Sequence, residues 1–132
     1  MTRKCIISAA VMFVMAWALS FFVHGWLLAA DYAATSGMRP PAEAQRIIYW
    51  LILAQAIFGS AFAWVYYQGK EDKPWLMQGI RFGIAVACLT VIPTYLIYHV
   101  VTPVPLVLAV KQIVFDAIRV VLMGIVLAWI NR

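Results

Sequence analysis

The sequence predicts an all-α membrane protein, a single domain of four transmembrane helices running up-down-up-down as a bundle. Three observations predict it. Hydrophobic residues make up 66% of the 132 residues and charged residues 11%, with a mean hydropathy of +0.92. A soluble domain is nearer half apolar and a quarter charged, so lipid must absorb the excess. The apolar residues fall into four runs, each close to the roughly 20 helical residues that cross a hydrocarbon core about 30 Å thick. The segments between the runs are short, which makes consecutive helices antiparallel neighbours. Continuously apolar runs exclude a β-barrel, whose strands alternate in polarity. Helix satisfies its own backbone inside lipid, where an open strand does not.

The first span covers about residues 5–30. Arg3 and Lys4 ahead of it resemble the start of a signal peptide, and Ala18-Leu19-Ser20 resembles a cleavage site. The apolar run continues through Phe21-Phe22-Val23, past the usual length of a signal's apolar region, so a retained span is expected. The second span covers about 47–68, with Pro41 suited to its first turn and Gly69 able to close it in the left-handed conformation. The third covers about 80–101, with Asp72 as its cap, Pro74 in its first turn and Pro93 as the source of a kink. Pro103 and Pro105 mark a tight loop before the fourth span, about 106–130. Spans one and two relate to spans three and four as a parallel repeat would, with Phe22-Val23-His24 and Ile97-Tyr98-His99 at similar depth.

Short-loop basic residues set orientation. Arg3, Lys4, Lys70, Lys73, Arg81 and Arg132 fall on one side; Arg39 and Arg46, with Lys111 inside the start of span four, fall on the other. Both termini are therefore expected in the cytoplasm. The net charge of +5 is largely this asymmetry and gives no reason to expect nucleic-acid binding. Trp26, Tyr32, Tyr49 and Trp50 form one aromatic belt, and Trp64, Tyr66, Tyr67, Trp75 and Trp129 the other. Cys5 and Cys88 are too few for a disulfide framework and lack redox spacing. Small residues recur every four positions as Gly79, Gly83 and Ala87, as Ala56 with Ser60, as Gly59 with Ala63, and as Gly124 with Ala128. Such faces let helices approach closely, within one chain or between copies.

Polar residues inside the spans are functional candidates because they are costly there. Asp116 and Arg119 lie near the middle of span four at spacing i, i+3, with Gln112 one turn before Asp116. This seam reads as a neutralised structural ion pair or as a proton or ion relay. Span one carries Trp17, Ser20, His24 and Asp31 along one face. His24, His99, Tyr95, Lys111 and Gln55 then place a polar group from every span in the outer half of the bundle. Three readings compete there. His24 and His99 can serve as the axial ligands of a b-type haem iron, since neutral imidazole suits iron and bundle cores hold cofactors. His24, Tyr95 and Lys111 can hydrogen-bond a quinone carbonyl or a lipid phosphate. The third reading is interhelical hydrogen bonding alone, with Lys111 and His99 snorkelling to the interface.

Phe21-Phe22-Val23-His24-Gly25 in span one and Gly79-x-Arg81-Phe82-Gly83 in span three, with Pro93, Pro103 and Gly124, resemble a family of small uncharacterised bacterial four-span inner-membrane proteins. The resemblance covers most of the chain, implies a bacterial inner membrane and carries over no activity. The size also matches small multidrug exporters, which carry an essential glutamate in their first span; here no acid precedes Asp31. There is no metal cluster, phosphate loop or nucleophile set, so a non-enzymatic role leads. That role is a small accessory or structural subunit of a membrane complex, self-associating or joined to a larger assembly within the bilayer. The alternatives are a haem- or quinone-binding redox bundle and a small transporter using Asp116 and Arg119.

Overall fold

A computed structural model describes residues 2–132. The described residues are helical, with no strand, and four helices are long and apolar enough to cross a membrane. They are α1 (Arg3–Leu27), α4 (Ile48–Gly69), α5 (Trp75–Val101) and α6 (Leu106–Ile130). Two short helices, α2 (Ala29–Ala33) and α3 (Pro41–Arg46), lie in the connection between α1 and α4. The long helices pack as a bundle in which α1 contacts α4 and α6, and α5 contacts α6. The core comprises Met12, Ala16, Phe62, Ala63, Val120, Met123 and Leu127 among its most buried members.

The ends of these helices differ from expectation at four points, each for a local reason. Pro41 opens the separate helix α3, because Ile47 departs from helical geometry before α4 begins. Gly69 is the last residue of α4 and is not left-handed; the chain leaves through an extended Lys70, whose ammonium reaches Asn131 O at 2.6 Å. Asp72 does not cap α5; Pro74 precedes its first residue and no side chain caps it. The helix therefore starts at Trp75, several residues earlier than hydropathy suggests, because Arg81 lies within it. Gly37 is the described glycine with positive φ, at 80°, and it packs on Pro103 from the last connection.

Two helices change hydrogen-bond register. Phe21–Leu27 of α1 is π-helical, with Leu28 N donating to Val23 O at 2.9 Å. Ala87–Val91 of α5 is π-helical immediately before Ile92-Pro93, where proline removes a backbone donor. A π-turn rotates every later side chain relative to the helix that precedes it and recurs at functional positions. Here the first π segment contains His24 and the second ends four residues before Tyr95.

Small residues set the helix spacing. A Cβ on Gly83 would stand 2.5 Å from Val121 Cα, and one on Gly79 2.7 Å from Gly124 O, so α5 and α6 are in backbone contact. Gly59 plays the same part between α4 and α1, facing Phe13 N at 2.5 Å. Ala63, Ala87 and Ala128 are buried alongside, whereas Ser60 faces outward. On the flank, α4 reaches α5 through aromatic rings, Phe62 to Phe82 at 4.7 Å and Tyr66 to Phe82 at 5.3 Å. At one end of the bundle, Val23, Leu28, Val104, Leu108 and Ala109 form a second apolar cluster against Tyr32 and Phe115. This cluster seats α2 over α6.

Gly83→Ala improves intrinsic helix propensity yet forces α5 away from α6, so it should destabilise the bundle by about 1–3 kcal/mol. Gly69→Ala meets nothing within 4 Å and should be neutral. Detergent-micelle unfolding, followed by circular dichroism during titration with a denaturing detergent, measures both.

Candidate functional site

The site is built on α6. Its residues Gln112, Asp116 and Arg119 follow one another at helical spacing, and Gln112 and Asp116 are buried. Asp116 is 2% exposed, near the middle of the helix. Its Oδ1 lies 3.1 Å from Arg119 Nε, a charge pair without hydrogen-bond alignment, since neither atom has a hydrogen-bond partner. Arg119 also donates through Nη1 to Ala16 O of α1 at 3.3 Å, and its guanidinium lies 5.7 Å from the Phe58 ring centre on α4. Arg119 thus ties α6 to both α1 and α4.

The other carboxylate oxygen collects groups from two further helices. His24 Nε2, in the π-helical part of α1, lies 3.0 Å from Asp116 Oδ2. The Tyr95 hydroxyl, on α5 just past its π-turn, donates to the same oxygen and lies 3.2 Å from His24 Nε2. On the far side of the imidazole, Nδ1 lies 2.6 Å from the Tyr32 hydroxyl of α2. Gln112 Nε2 in turn donates to that hydroxyl at 2.9 Å. The result is an unbroken line, Gln112–Tyr32–His24–Asp116–Tyr95, with Arg119 as counter-charge.

The donors and acceptors on this line can be assigned for either state of the imidazole. A neutral ring accepts at Nδ1 from the Tyr32 hydroxyl and donates at Nε2 to Asp116. A protonated ring donates at both nitrogens. Tyr32 then accepts from His24 and Gln112 together, using both lone pairs, and its own proton loses its acceptor. Burial holds the Tyr32 phenol above the ordinary tyrosine range; the Gln112 hydrogen bond opposes this and the charges of Asp116 and Asp31 add to it. Tyr32 therefore stays a neutral hydroxyl that reverses its direction when His24 changes charge. Asp116 and Arg119 cancel each other, so the cluster is neutral with neutral His24 and carries one positive charge with protonated His24.

The structure separates the remaining sequence candidates. His99 Nδ1 lies 2.7 Å from Val104 O and joins α5 to the connection that follows it. Both ring nitrogens of His24 are engaged in the line above, so the geometry gives no paired axial ligation by His24 and His99. Among the described residues there is no group of three or more His, Cys, Asp or Glu side chains able to hold a metal. Lys111 Nζ lies 2.7 Å from Asp31 Oδ1 in an exposed pair, away from Tyr95. Gln55 Nε2 donates to Ser20 Oγ at 3.2 Å, between α4 and α1. Of the outer candidates, His24 and Tyr95 come together, and they do so on Asp116. Asp116 and Arg119 pair as their spacing suggests, while Gln112 turns to Tyr32 instead of Asp116.

Tyr32 was legible only as an interface aromatic. The signal that could have found it is its spacing of eight residues from His24, short enough for the chain to fold back onto the same helix end. A second polar group lies at the opposite end of the bundle and escaped sequence reading altogether. Asn131, 3% exposed, donates to Ser8 Oγ at 3.0 Å and to Leu127 O at 2.8 Å, and accepts from the Tyr67 hydroxyl. It fastens α6 to α1 and α4.

The chain matches no protein-family model, no curated protein and no solved structure.

Asp116→Ala leaves the Arg119 guanidinium buried without its counter-charge and should cost roughly 3–5 kcal/mol. The double change Asp116→Ala with Arg119→Leu should recover a substantial part of that loss. Lys111→Met removes a pair that solvent already screens and should cost less than about 1 kcal/mol. Unfolding titrations of the purified variants in mixed micelles measure all three.

Proposed function

We propose that this chain is a small multi-pass protein of the bacterial inner membrane, with its four long helices running up-down-up-down and both termini cytoplasmic. Its role is non-enzymatic: protonation of the half-buried His24 on the buried Asp116 sets how α1, α5 and α6 hold together. One observation carries the reading. A carboxylate 2% exposed takes Arg119 from its own helix, His24 from α1 and Tyr95 from α5. Ionisable residues at membrane depth are costly and mark proton or ion pathways. Neutralising this carboxylate locally requires Arg119 alone. The added imidazole is the side chain whose charge changes near physiological pH, and it links α1 to Asp116 of α6 while lying 3.2 Å from the Tyr95 hydroxyl of α5.

The titratable and charged groups facing His24 are Tyr32 from α2, Tyr95 from α5, and Asp116 with its partner Arg119 from α6. On α4, Gln55 is uncharged and bonded to Ser20, one turn before His24. Adding a proton to His24 strengthens its pairing with Asp116, adds net positive charge beside Arg119 and turns the Tyr32 hydroxyl. Each effect acts on a different helix contact, so the packing of the outer half responds to pH. The positive-inside distribution of Lys and Arg supports the orientation.

A second feature favours membership of a larger membrane assembly. Every residue from 48 to 54 of α4 is exposed, including Tyr49, Trp50, Leu51 and Leu53. Within the chain this half of α4 has a partner on one side only. Lipid or another subunit covers the rest.

Spin labels on the outer ends of α1 and α5, in protein reconstituted into lipid nanodiscs, test the main reading. The inter-label distance distribution should shift across a titration from alkaline to acidic pH in the wild type. The shift should vanish in His24→Gln. An unchanged distribution across that range in the wild type would sink the proposal.

A further inference from the structure

The chain leaves α4 at Gly69 and enters α5 at Trp75, and a pocket of about 500 Å³ lies between these helix ends. Tyr66 and Gly69 line it from α4, and Met77, Arg81 and Phe82 from α5. Part of the connection closes it, held to α5 where Gln78 Nε2 donates to Glu71 O at 2.8 Å. No side chain caps the first turn of α5 here, so the positive end of the helix dipole lies beside the pocket.

Two polar groups in this pocket stand without partners. Arg81 is exposed and, among the described residues, carries no hydrogen bond or ion pair. The carboxylate of Glu71 is bonded to Lys73 instead; that ammonium, and Arg81 more weakly, hold it below the ordinary carboxyl range. Tyr66 is 3% exposed, and its hydroxyl makes no hydrogen bond. Among the described residues the fully enclosed side-chain atoms without a partner are Asp116 Oδ1 and Arg119 Nε. The Tyr66 hydroxyl is not one of them, so it remains reachable from the pocket that Tyr66 lines. Its ring is set edge-on to Phe82 at 5.3 Å between centroids, which fixes where the hydroxyl stands. A nearly buried donor left unpaired costs free energy that an acceptor in the pocket would recover.

Charge selects the acceptor. Lys73 and Glu71 cancel across the pocket wall, which leaves the single positive charge of Arg81. Asp72, the other acid of the connection, does not line the pocket. A cation would meet a free guanidinium, and a dianion would meet the Glu71 carboxylate with half its charge unmatched. A monoanion with several oxygens suits the guanidinium fork and the phenol together. The remaining wall is apolar, formed by Pro74, Met77 and Phe82, and the exposed Leu76 and Met77 continue it onto the outside of α5. A hydrated ion gains nothing from that surface, whereas an acyl chain does. Basic pockets between spans at the cytoplasmic surface suit the heads of anionic lipids.

We propose that this pocket binds a phosphodiester monoanion carried by a phospholipid of the phosphatidylglycerol class. The phosphate accepts from Arg81 and from the Tyr66 hydroxyl, and an acyl chain lies along Met77 and the outside of α5. The site rests on the membrane insertion proposed above. It does not rest on the pH response of His24, which belongs to the opposite end of the bundle.

The test is native mass spectrometry of the full-length protein in a nonionic detergent, titrated with dioleoylphosphatidylglycerol or dioleoylphosphatidylcholine. One phosphatidylglycerol per chain should be retained saturably, about tenfold more tightly than phosphatidylcholine. Arg81→Gln should remove most of that preference. Tyr66→Phe keeps the ring against Phe82 and should weaken retention about fivefold. Gly69→Leu serves if either variant fails to fold: a Cβ there meets nothing within 4 Å, so the added side chain occupies the pocket without displacing the protein. It should block retention. Glycerophosphoglycerol, the same head without acyl chains, should not displace the lipid. Equal retention of the two lipids, or a preference untouched by Arg81→Gln and Gly69→Leu in folded protein, would overturn the proposal. Displacement by the deacylated head would overturn it in favour of a soluble phosphodiester. Vesicle flotation after a carbonate wash separates this site from the reading beneath it. A chain that floats yet shows no lipid preference removes the site alone; a chain that washes off removes the membrane reading and the site with it.

Discussion

The rest of the structure depends on keeping one carboxylate comfortable among apolar helices. Asp116 is buried near the middle of a helix long and apolar enough to cross a membrane, and an unpaired charge at the centre of such a helix in lipid costs roughly 2.5–3.5 kcal/mol or more. Arg119 removes part of that cost as soon as α6 forms, because the two residues are one turn apart. The Oδ2 oxygen finds its hydrogen bonds only when α1 brings His24 and α5 brings Tyr95 to it. Sliding either helix by one turn, about 5.4 Å, would withdraw its donor. Apolar packing does not distinguish such registers strongly, since each turn offers similar side chains to lipid or protein. The carboxylate does distinguish them, and it selects one arrangement for three of the four long helices.

Close approach and register are separate problems with separate solutions in this chain. Gly59, Gly79, Gly83 and Gly124 let backbones touch, which supplies the dispersion contact that helices need wherever lipid replaces water around them. The polar groups then choose among the possible contacts. They do so at two levels: the His24–Asp116 line toward one end, and Asn131 with Ser8 and Tyr67 toward the other. Both levels bind α6 to α1. The flank between α4 and α5 is joined through aromatic rings, so it is the part of the bundle least constrained by either network. The register changes at Phe21–Leu27 and Ala87–Val91 fall in the two helices that carry His24 and Tyr95.

Much of the fold was legible because lipid-length apolar runs are visible in composition alone. The run from Leu106 to Ile130 and the pairing of Asp116 with Arg119 needed only helical spacing. The site was legible by depth and not by direction. His24, His99, Tyr95, Lys111 and Gln55 were all assigned to the outer half, yet only His24 and Tyr95 meet. In a soluble helix the apolar stripe shows which face turns inward. Helices apolar on every face carry no such stripe, so His99 and Lys111 gave no sign that they turn to Val104 and Asp31. The π-turns compound this, since ordinary helical spacing does not hold through Phe21–Leu27. The contact between His24 and Asp116 spans 92 positions in sequence, and no local pattern encodes it. At Gly69 and Asp72 the misreading was of a different kind. General capping preferences yielded there to the reach of Lys70 onto Asn131 and to Pro74, which begins α5 unaided.

The central claim is that the His24 imidazole bridges Tyr32 and Asp116 inside the bundle and changes charge there. The most direct measurement is solid-state NMR of the protein in bilayers with ¹⁵N-labelled histidine, using His99→Gln to leave His24 as the sole histidine signal. The account predicts that both ring nitrogens report hydrogen bonding, that they titrate as one group, and that Asp116→Asn shifts the Nε2 resonance and the titration together. Ring nitrogens with the shifts of a solvated histidine, indifferent to Asp116→Asn, would contradict it.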